Sequence, residues 1–337
     1  MMMFTREYYP GTYINGNYYV TGSPENGTRV KRTLRVGEDF KPAFPDSIDL
    51  KITSACGFGC PFCHESATPN GKTADLERLK AFLDPLPRVG IEVAIGGGDI
   101  FSCPEFTYDL VKWLEKDNGF LPRLTLSHRN YEELNDTVVE GMLQYTKFSE
   151  DSVEKKLTYL LEEIPVGVSL NQYLENPIPD RISASSFRLS SERIVYHVIA
   201  GVINPEDLWE MWLDRRHYRK ILVLGFKQFG RGASYTLPDL DKTKEVVERI
   251  LARQKGLFTG EVRKVIAFDN LAIEQLGIKS LLPKEEWDTF YQGDEFTASM
   301  YVDAVEETVA PTSRTPKEER TSWNQTTLLK YFNENHR

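Results

Sequence analysis

From about residue 46 onward, short β-branched apolar runs alternate with amphipathic stretches, and that alternation limits the folds open to the chain. The runs are SIDLKIT (47–53), IEVAIG (91–96), RLTLS (123–127), VGVSL (166–170), RIVYHVIAG (193–201), KILVLGF (220–226) and VRKVIAFD (262–269). Most are apolar on both faces, as strands buried within a parallel sheet are. Between them Leu76, Leu79, Leu83 and Leu86 keep to one helical face. Ser102 and Glu105 have capping-box spacing around Pro104. Asn204 before Pro205 repeats that start signal, and Asn270 before LAIEQL reads as a helix N-cap. Parallel strands joined by helices form right-handed βαβ units. Six or seven such units predict an α/β protein built as a partial (β/α)6-type TIM barrel.

Flanking segments break the rhythm. Residues 1–45 are rich in Tyr and Gly, and TYINGNYYV sets an Asn-Gly turn between two β-prone runs, which predicts a hairpin. After Asp269 come two short helical segments, a β pair within FTASMYVDAVEETVAP, the polar linker PTSRTPKEERTS and a terminal helix. The expected division is a β-hairpin extension over 1–45, the barrel over 46–275 and a small α+β extension over 276–337.

Charge and hydropathy narrow the partners. The net charge is -9, and the densest basic stretch, RRHYRK (215–220), reads as a solvated helix end. This balance argues against nucleic acid as a partner. No apolar run approaches the roughly 20 residues that a membrane helix needs. The first residues, MMMFTREYYPG, lack the apolar core of a signal peptide. A soluble, cytoplasmic protein with no membrane partner is the expectation.

In a βα barrel the working residues sit where the strands end. Cys56, Cys60 and Cys63 follow the first strand; Gly96, Gly97, Gly98 and Asp99 follow the second. The third ends in Ser127, His128, Arg129 and Asn130, and the fourth at Ser169 and Asn171. The fifth carries His197 and ends in Gly201, the sixth runs into Lys227 and Gln228, and the seventh into Asp269 and Asn270. Any strand must leave into a polar loop, so single positions mean little: His128 and His197 read as structural, and Lys227 and Asp269 as pocket lining or as caps and ion pairs. By itself the GGGD run could be a tight turn.

The cysteines say more. Three of the four stand in one C-x3-C-x2-C cluster, within SACGFGCPFCHE. In a chain without an export signal such a cluster reads as metal-binding or catalytic. Thiolates bind iron-sulfur clusters and zinc, and a closed site takes four protein ligands. Three ligands leave one metal position open to a substrate or cofactor. Zinc with His64 as fourth ligand is the alternative, but neighbouring side chains seldom converge on one tetrahedral ion, and His64 adjoins Cys63. Gly57 and Gly59 allow the loop to wrap closely. Cys103 reads as a buried, inert thiol.

With Phe62 before the last cysteine, this motif resembles the signature of the radical S-adenosylmethionine (radical SAM) superfamily, over roughly residues 46–275. The resemblance implies that Cys56, Cys60 and Cys63 hold three irons of a [4Fe-4S] cluster and that the fourth iron chelates S-adenosyl-L-methionine. Gly96, Gly97, Gly98 and Asp99 resemble the loop that meets the methionine ammonium, although the family often has Glu where this chain has Gly98 or Asp99. Ser169 and Asn171 resemble ribose contacts. Gly201, in HVIAGVI, and Leu224, in LGF, resemble the segments around adenine. The implied chemistry is one-electron cleavage of S-adenosylmethionine, with flavodoxin or ferredoxin as electron donor, to a 5′-deoxyadenosyl radical that abstracts hydrogen from a substrate. Only Cys103 lies outside the motif, which disfavours an auxiliary four-cysteine cluster and the peptide-modifying members that carry one. A small metabolite or nucleotide is the expected substrate, a peptide or protein the alternative. From another class, the alternative is a zinc- or cluster-stabilised binding protein without turnover. His64 and Glu65 receive no role.

Overall fold

The computed structural model describes residues 12–22, 29–116, 119–128, 152–170, 193–214, 218–236, 240–254, 264–291 and 293–335. Arg129, Asn130, Asn171 and residues 215–217 of the basic stretch lie outside these residues. An N-terminal sheet comprises β1 (Thr12–Asn15), β2 (Tyr18–Gly22) and β3 (Arg29–Thr33), all antiparallel. The main sheet begins with β4 (Ser47–Thr53), β5 (Glu92–Gly97), β6 (Leu121–Ser127), β7 (Val166–Ser169), β8 (Ile194–Ile199), β9 (Lys220–Leu224) and β10 (Val265–Phe268). These strands are parallel and lie side by side in chain order. β11 (Ser299–Asp303) adds parallel to β4, and β12 (Thr308–Ala310) and β13 (Thr321–Ser322) follow antiparallel, giving ten strands. The outermost strands, β10 and β13, are not paired with each other among the described residues, so the sheet there is open.

The helices are α1 (Leu76–Leu83), α2 (Pro104–Lys116), α3 (Val153–Glu163), α4 (Pro205–Leu213), α5 (Leu240–Gln254), α6 (Asn270–Leu276), α7 (Lys284–Phe290) and α8 (Leu328–Asn335). None of them is long and apolar enough to cross a membrane. Side chains alternate across a strand, so each strand of the main sheet offers one set to each face. Ile48, Leu50 and Ile52 of β4 join Val93 and Ile95 of β5, Leu124 and Leu126 of β6, and Leu79, Leu83, Leu110 and Leu114 of α1 and α2 in one buried core. The alternate positions carry Asp49, Lys51, Arg123, Thr125, Ser127, Ser169 and His197, a polar series on the opposite face. Removing the apolar set from water is the main source of stability for this layer.

The strand order matches the predicted βα succession, while the count exceeds six. The β pair foreseen near the C-terminus is β11 and β12, but it is part of the main sheet and not a separate element. Its partner β4 is about 250 residues away (Ser299 opposite Ser47), and nothing local in either segment signals that pairing. The expected hairpin has a third strand, RVKRT, whose charges hide it from a hydrophobic pattern. Asn204 caps α4 as expected, its side chain accepting from Glu206 N at 3.0 Å. Asp269, not Asn270, caps α6: its Oδ1 accepts from Ala272 N at 2.7 Å and also from Gly225 N at 2.8 Å. The shift by one residue lets a single carboxylate serve both the helix and the end of β9. Ser102 donates to Asp99 O at 2.7 Å inside a 3-10 turn (Ile100–Ser102) that precedes α2.

A buried carboxylate fastens the N-terminal sheet. Asp46 accepts from Asn15 Nδ2 at 2.7 Å, Tyr18 Oη at 2.7 Å and Tyr13 Oη at 3.2 Å, and Lys31 Nζ stands 2.9 Å away. Arg29 donates to Asp46 O and Gly90 O at 2.7 and 2.8 Å. Burial, reinforced by Asp46, pushes the Tyr13 and Tyr18 hydroxyls well above the ordinary tyrosine range, so they stay as donors. Tyr18→Phe should lower stability by about 1.5–3 kcal/mol, the range for a hydrogen bond to a charged group. Urea unfolding checks this, and limited proteolysis should then cut within the first 45 residues sooner than in the wild type.

Candidate functional site

All seven consecutive parallel strands point their carboxyl ends the same way, so the loops after them share one edge of the sheet. At that edge lie Cys56, Cys60 and Cys63 after β4, Gly98 and Asp99 after β5, Ser169 at the end of β7, and Gly201 after β8. Leu224 at the end of β9, Lys227 after it and Asp269 after β10 complete the row. Direct contact joins the first two loops. Gly98 N donates to Thr53 O and Asp99 N to Ala55 O, both at 2.7 Å. Asp99 Oδ1 accepts from Phe101 N at 2.9 Å and so turns the chain into the 3-10 segment.

Glycine is required in this crossing. Gly97 has φ +120°, and a Cβ there would lie 2.5 Å from Thr53 O. A Cβ on Gly98 would lie 2.3 Å from Ala55 O. Gly98→Ala should therefore push the cysteine loop off the glycine loop at a cost of about 1–3 kcal/mol, as overpacking does. A lowered urea midpoint, together with faster reaction of the three cysteines with a thiol reagent, is the expected observation.

Within the cysteine loop, Cys56 N donates to Thr68 O at 2.8 Å and Thr68 N to Ser54 O at 3.1 Å. Cys63 N donates to Cys60 O at 3.2 Å, and Gly59 takes φ +62° to turn the chain between the first two cysteines. All three cysteines are half-buried and outside any disulfide. Burial pushes the Cys56 thiol up. Among the described residues no three Cys, His, Asp or Glu side chains converge on one point as a mononuclear ion requires. By donor chemistry, three thiolates would each suit a different iron of a cluster, whereas a structural zinc takes four protein ligands.

Phe62 sits edge-on to Tyr235, ring centres 5.9 Å apart. His197 lies over Gly167, where a Cβ would meet its Cε1 at 2.2 Å, and burial lowers the imidazole to about 4. Burial likewise lowers His128 to about 4. Both imidazoles are neutral near pH 7. Cys103 stands at the start of α2 with Sγ 3.6 Å from Ile100 O, and burial raises its thiol. Lys227 Nζ donates to Ser313 Oγ at 2.8 Å, which ties the β9 loop to the C-terminal segment.

Beneath the cysteine loop lies a buried charge network. Lys51 Nζ stands 2.7 Å from Glu65 Oε2 and 3.1 Å from Asp303 Oδ2, and Arg320 Nη1 is 3.0 Å from the same Asp303 oxygen. Tyr301 Oη donates to Glu65 Oε1 at 3.2 Å, and the Arg320 guanidinium lies 4.9 Å over the Tyr301 ring. Burial works against the ionised Glu65, yet His64, Lys51 and Arg320 hold its carboxyl below the usual carboxylate range. Burial and the nearby Lys227 lower His64. Glu65 thus has a place that the motif alone leaves open: it anchors the end of the cysteine loop to β4 and β11. Sequence reasoning missed Lys51, Asp303 and Arg320. A lysine inside the otherwise apolar SIDLKIT was the available signal for the first; the other two carry none.

Fold and edge together define a class: an α/β protein with a three-cysteine loop after the first strand of a sequential parallel sheet. Solved structures that bind S-adenosylmethionine share that fold. It is similar to Streptococcus suis SuiB bound to S-adenosylmethionine, with TM-score 0.56 and 13% identity, over 88% of this chain and 67% of that one. SuiB bound to precursor peptide SuiA gives TM-score 0.57 and 12% identity, over 87% of this chain and 65% of that one. Native anSMEcpe with bound AdoMet gives TM-score 0.55 and 13% identity, over 86% and 81%. At these identities the likeness is one of fold, and the chain spans about two thirds of the SuiB chains. No protein-family model matches the sequence, and no curated protein matches it significantly.

Proposed function

We propose that the chain is a radical SAM enzyme, its main sheet curled into a partial barrel over 46–275 with extensions on either side. The observation that carries this reading is the three-cysteine loop after β4, with no disulfide, seated against the glycine loop after β5. Cys56, Cys60 and Cys63 would hold a [4Fe-4S] cluster. When bound, such a cluster would pass one electron from a flavodoxin or ferredoxin to S-adenosylmethionine, whose cleavage would yield methionine and a hydrogen-abstracting 5′-deoxyadenosyl radical.

The remaining tasks belong to the chain. Gly96, Gly97, Gly98 and Asp99 bring backbone close to the cysteine loop, where an ammonium can meet carbonyls without a side chain intervening. Ser169, Gly201, Leu224 and Phe62 stand on the same edge as candidate contacts to the nucleoside. The polar series on the inner sheet face would orient the substrate, and its enclosure would exclude water and competing hydrogen donors.

Anaerobic purification tests the reading. A brown, oxygen-sensitive protein with about four irons per chain, which on reduction releases 5′-deoxyadenosine from S-adenosylmethionine, supports it. Colourless protein with stoichiometric zinc supports the non-catalytic alternative and sinks the enzyme. For the substrate, the likeness to SuiB bound to precursor peptide SuiA favours a peptide over a small metabolite or nucleotide. Acceleration of 5′-deoxyadenosine release by a peptide pool, and not by a metabolite pool, is the matching result.

A further inference from the structure

The loop after β9 folds back onto the cysteine loop, and its sequence FGRGAS puts one arginine between two glycines. A Cβ on Gly230 would lie 2.5 Å from His64 O, and one on Gly232 would lie 2.6 Å from Lys227 O and 3.2 Å from Phe62 O. Only glycine fits at either place, so the two loops meet backbone to backbone. Arg231 sits at that meeting. Its N donates to Cys63 O at 3.0 Å, its Nε to Cys60 O at 2.9 Å and its Nη1 to Ala67 O at 2.8 Å. All three acceptors are carbonyls of the cysteine loop, and two belong to cysteines. Through Nε and Nη1 the guanidinium, and with it a positive charge, is held against the loop.

We propose that Arg231 is a positioning residue for the three-cysteine loop, holding the second and third cysteines in place and providing the local cation for a thiolate-bound cluster. This rests on the radical SAM reading of the loop. A planar guanidinium has donors fixed in a fork, so it can hold two carbonyls at once where an ammonium holds its partners loosely. Three thiolates on a cluster bring negative charge, and reduction adds another unit. A fixed cation beside them favours the reduced state and raises the reduction potential.

Arg231→Gln and Arg231→Lys separate the two roles. In the anaerobically purified holoprotein three properties are read: the midpoint potential, the electron paramagnetic resonance spectrum of the reduced cluster, and the rate of iron loss to an added chelator. Arg231→Gln should shift the potential to more negative values, alter the spectrum and speed iron loss several-fold. Arg231→Lys should keep the potential near the wild-type value while still losing iron faster, because the charge remains and the fork does not. Circular dichroism monitors folding; if Arg231→Gln fails to fold, the iron-loss rate and spectrum of Arg231→Lys decide. Wild-type potential, spectrum and iron retention in the folded variants overturn the proposal while the cluster reading stands. Zinc in place of iron in the wild-type protein overturns the reading beneath it.

Discussion

Replacing any one of Cys56, Cys60 and Cys63 with alanine should reduce cluster content from about four irons per chain to near background. Release of 5′-deoxyadenosine should fall with it to the level of the protein-free control. On the proposed reading each thiolate would hold a different iron, and the loop carries no fourth cysteine. Cys103 is on another element, at the start of α2, with its Sγ turned to Ile100 O and Thr107 Oγ1. Cys103→Ser is therefore the matched control and should leave iron content unchanged. Iron assay and absorbance near the thiolate-to-iron charge-transfer region check both. A full cluster in any of the three alanine variants would remove that cysteine from the site.

The largest effect on stability is expected at Asp303. Lys51, Glu65, Asp303 and Arg320 are almost wholly buried, with side-chain exposures of 3, 7, 0 and 6%. Two cations face two anions, so the group is neutral as a whole. Asp303→Ala leaves Arg320 without its carboxylate and Lys51 with Glu65 alone. It also removes the acceptor for Val305 N and Glu306 N, both 3.2 Å from Asp303 Oδ1, at the turn between β11 and β12. Breaking a buried ion pair from one side costs about 3–5 kcal/mol, and urea unfolding should show a loss in that range. Because Glu65 closes the cysteine loop, the same variant should lose iron to a chelator faster. A loss below about 1 kcal/mol, the range of surface pairs, would mean that the network is solvated.

The pH response of the network has a definite sign. Burial opposes the charged Lys51, but Glu65 and Asp303 outweigh it and raise the Lys51 pKa above its ordinary value. Its contribution is therefore fully present below the unfolded lysine value of about 10.4 and is lost as pH rises through the higher folded value. Wild-type stability should fall across that alkaline window, and Lys51→Met should flatten the fall.

Much of the site could be read along the chain. Runs with β-branched residues marked β4 to β10, although their apolar residues go to one face of the sheet and not to both, as the alternating burial along β6, β8 and β9 shows. C-x3-C-x2-C marked a candidate metal loop through its spacing, and the glycine run marked a loop facing it, whose close backbone approach at Gly97 and Gly98 came from the structure. Asn204 declared its helix start, since an N-cap is a contact within a few residues. Where one side chain serves two masters, local reading failed: Asp269 caps α6 because it also receives Gly225 N. β3 was hidden because its lysine and arginine turn inward to Asp46, against the usual pattern of exposed charge.

Periodicity and spacing along the chain thus determined the α/β class, the order of strand and helix, and the three thiols with their adjoining glycine loop. Those features rest on interactions within a few residues or on a repeated pattern, and a sequence carries both directly. Only the tertiary structure decided that β11 lies beside β4, that Asp303 and Arg320 neutralise Lys51 and Glu65, and that Arg231 reaches Cys60 and Cys63. These contacts join residues up to about 250 positions apart, and each depends on the angle at which a loop returns. Such long-range closure is set by the packing of the whole sheet and leaves no periodic trace.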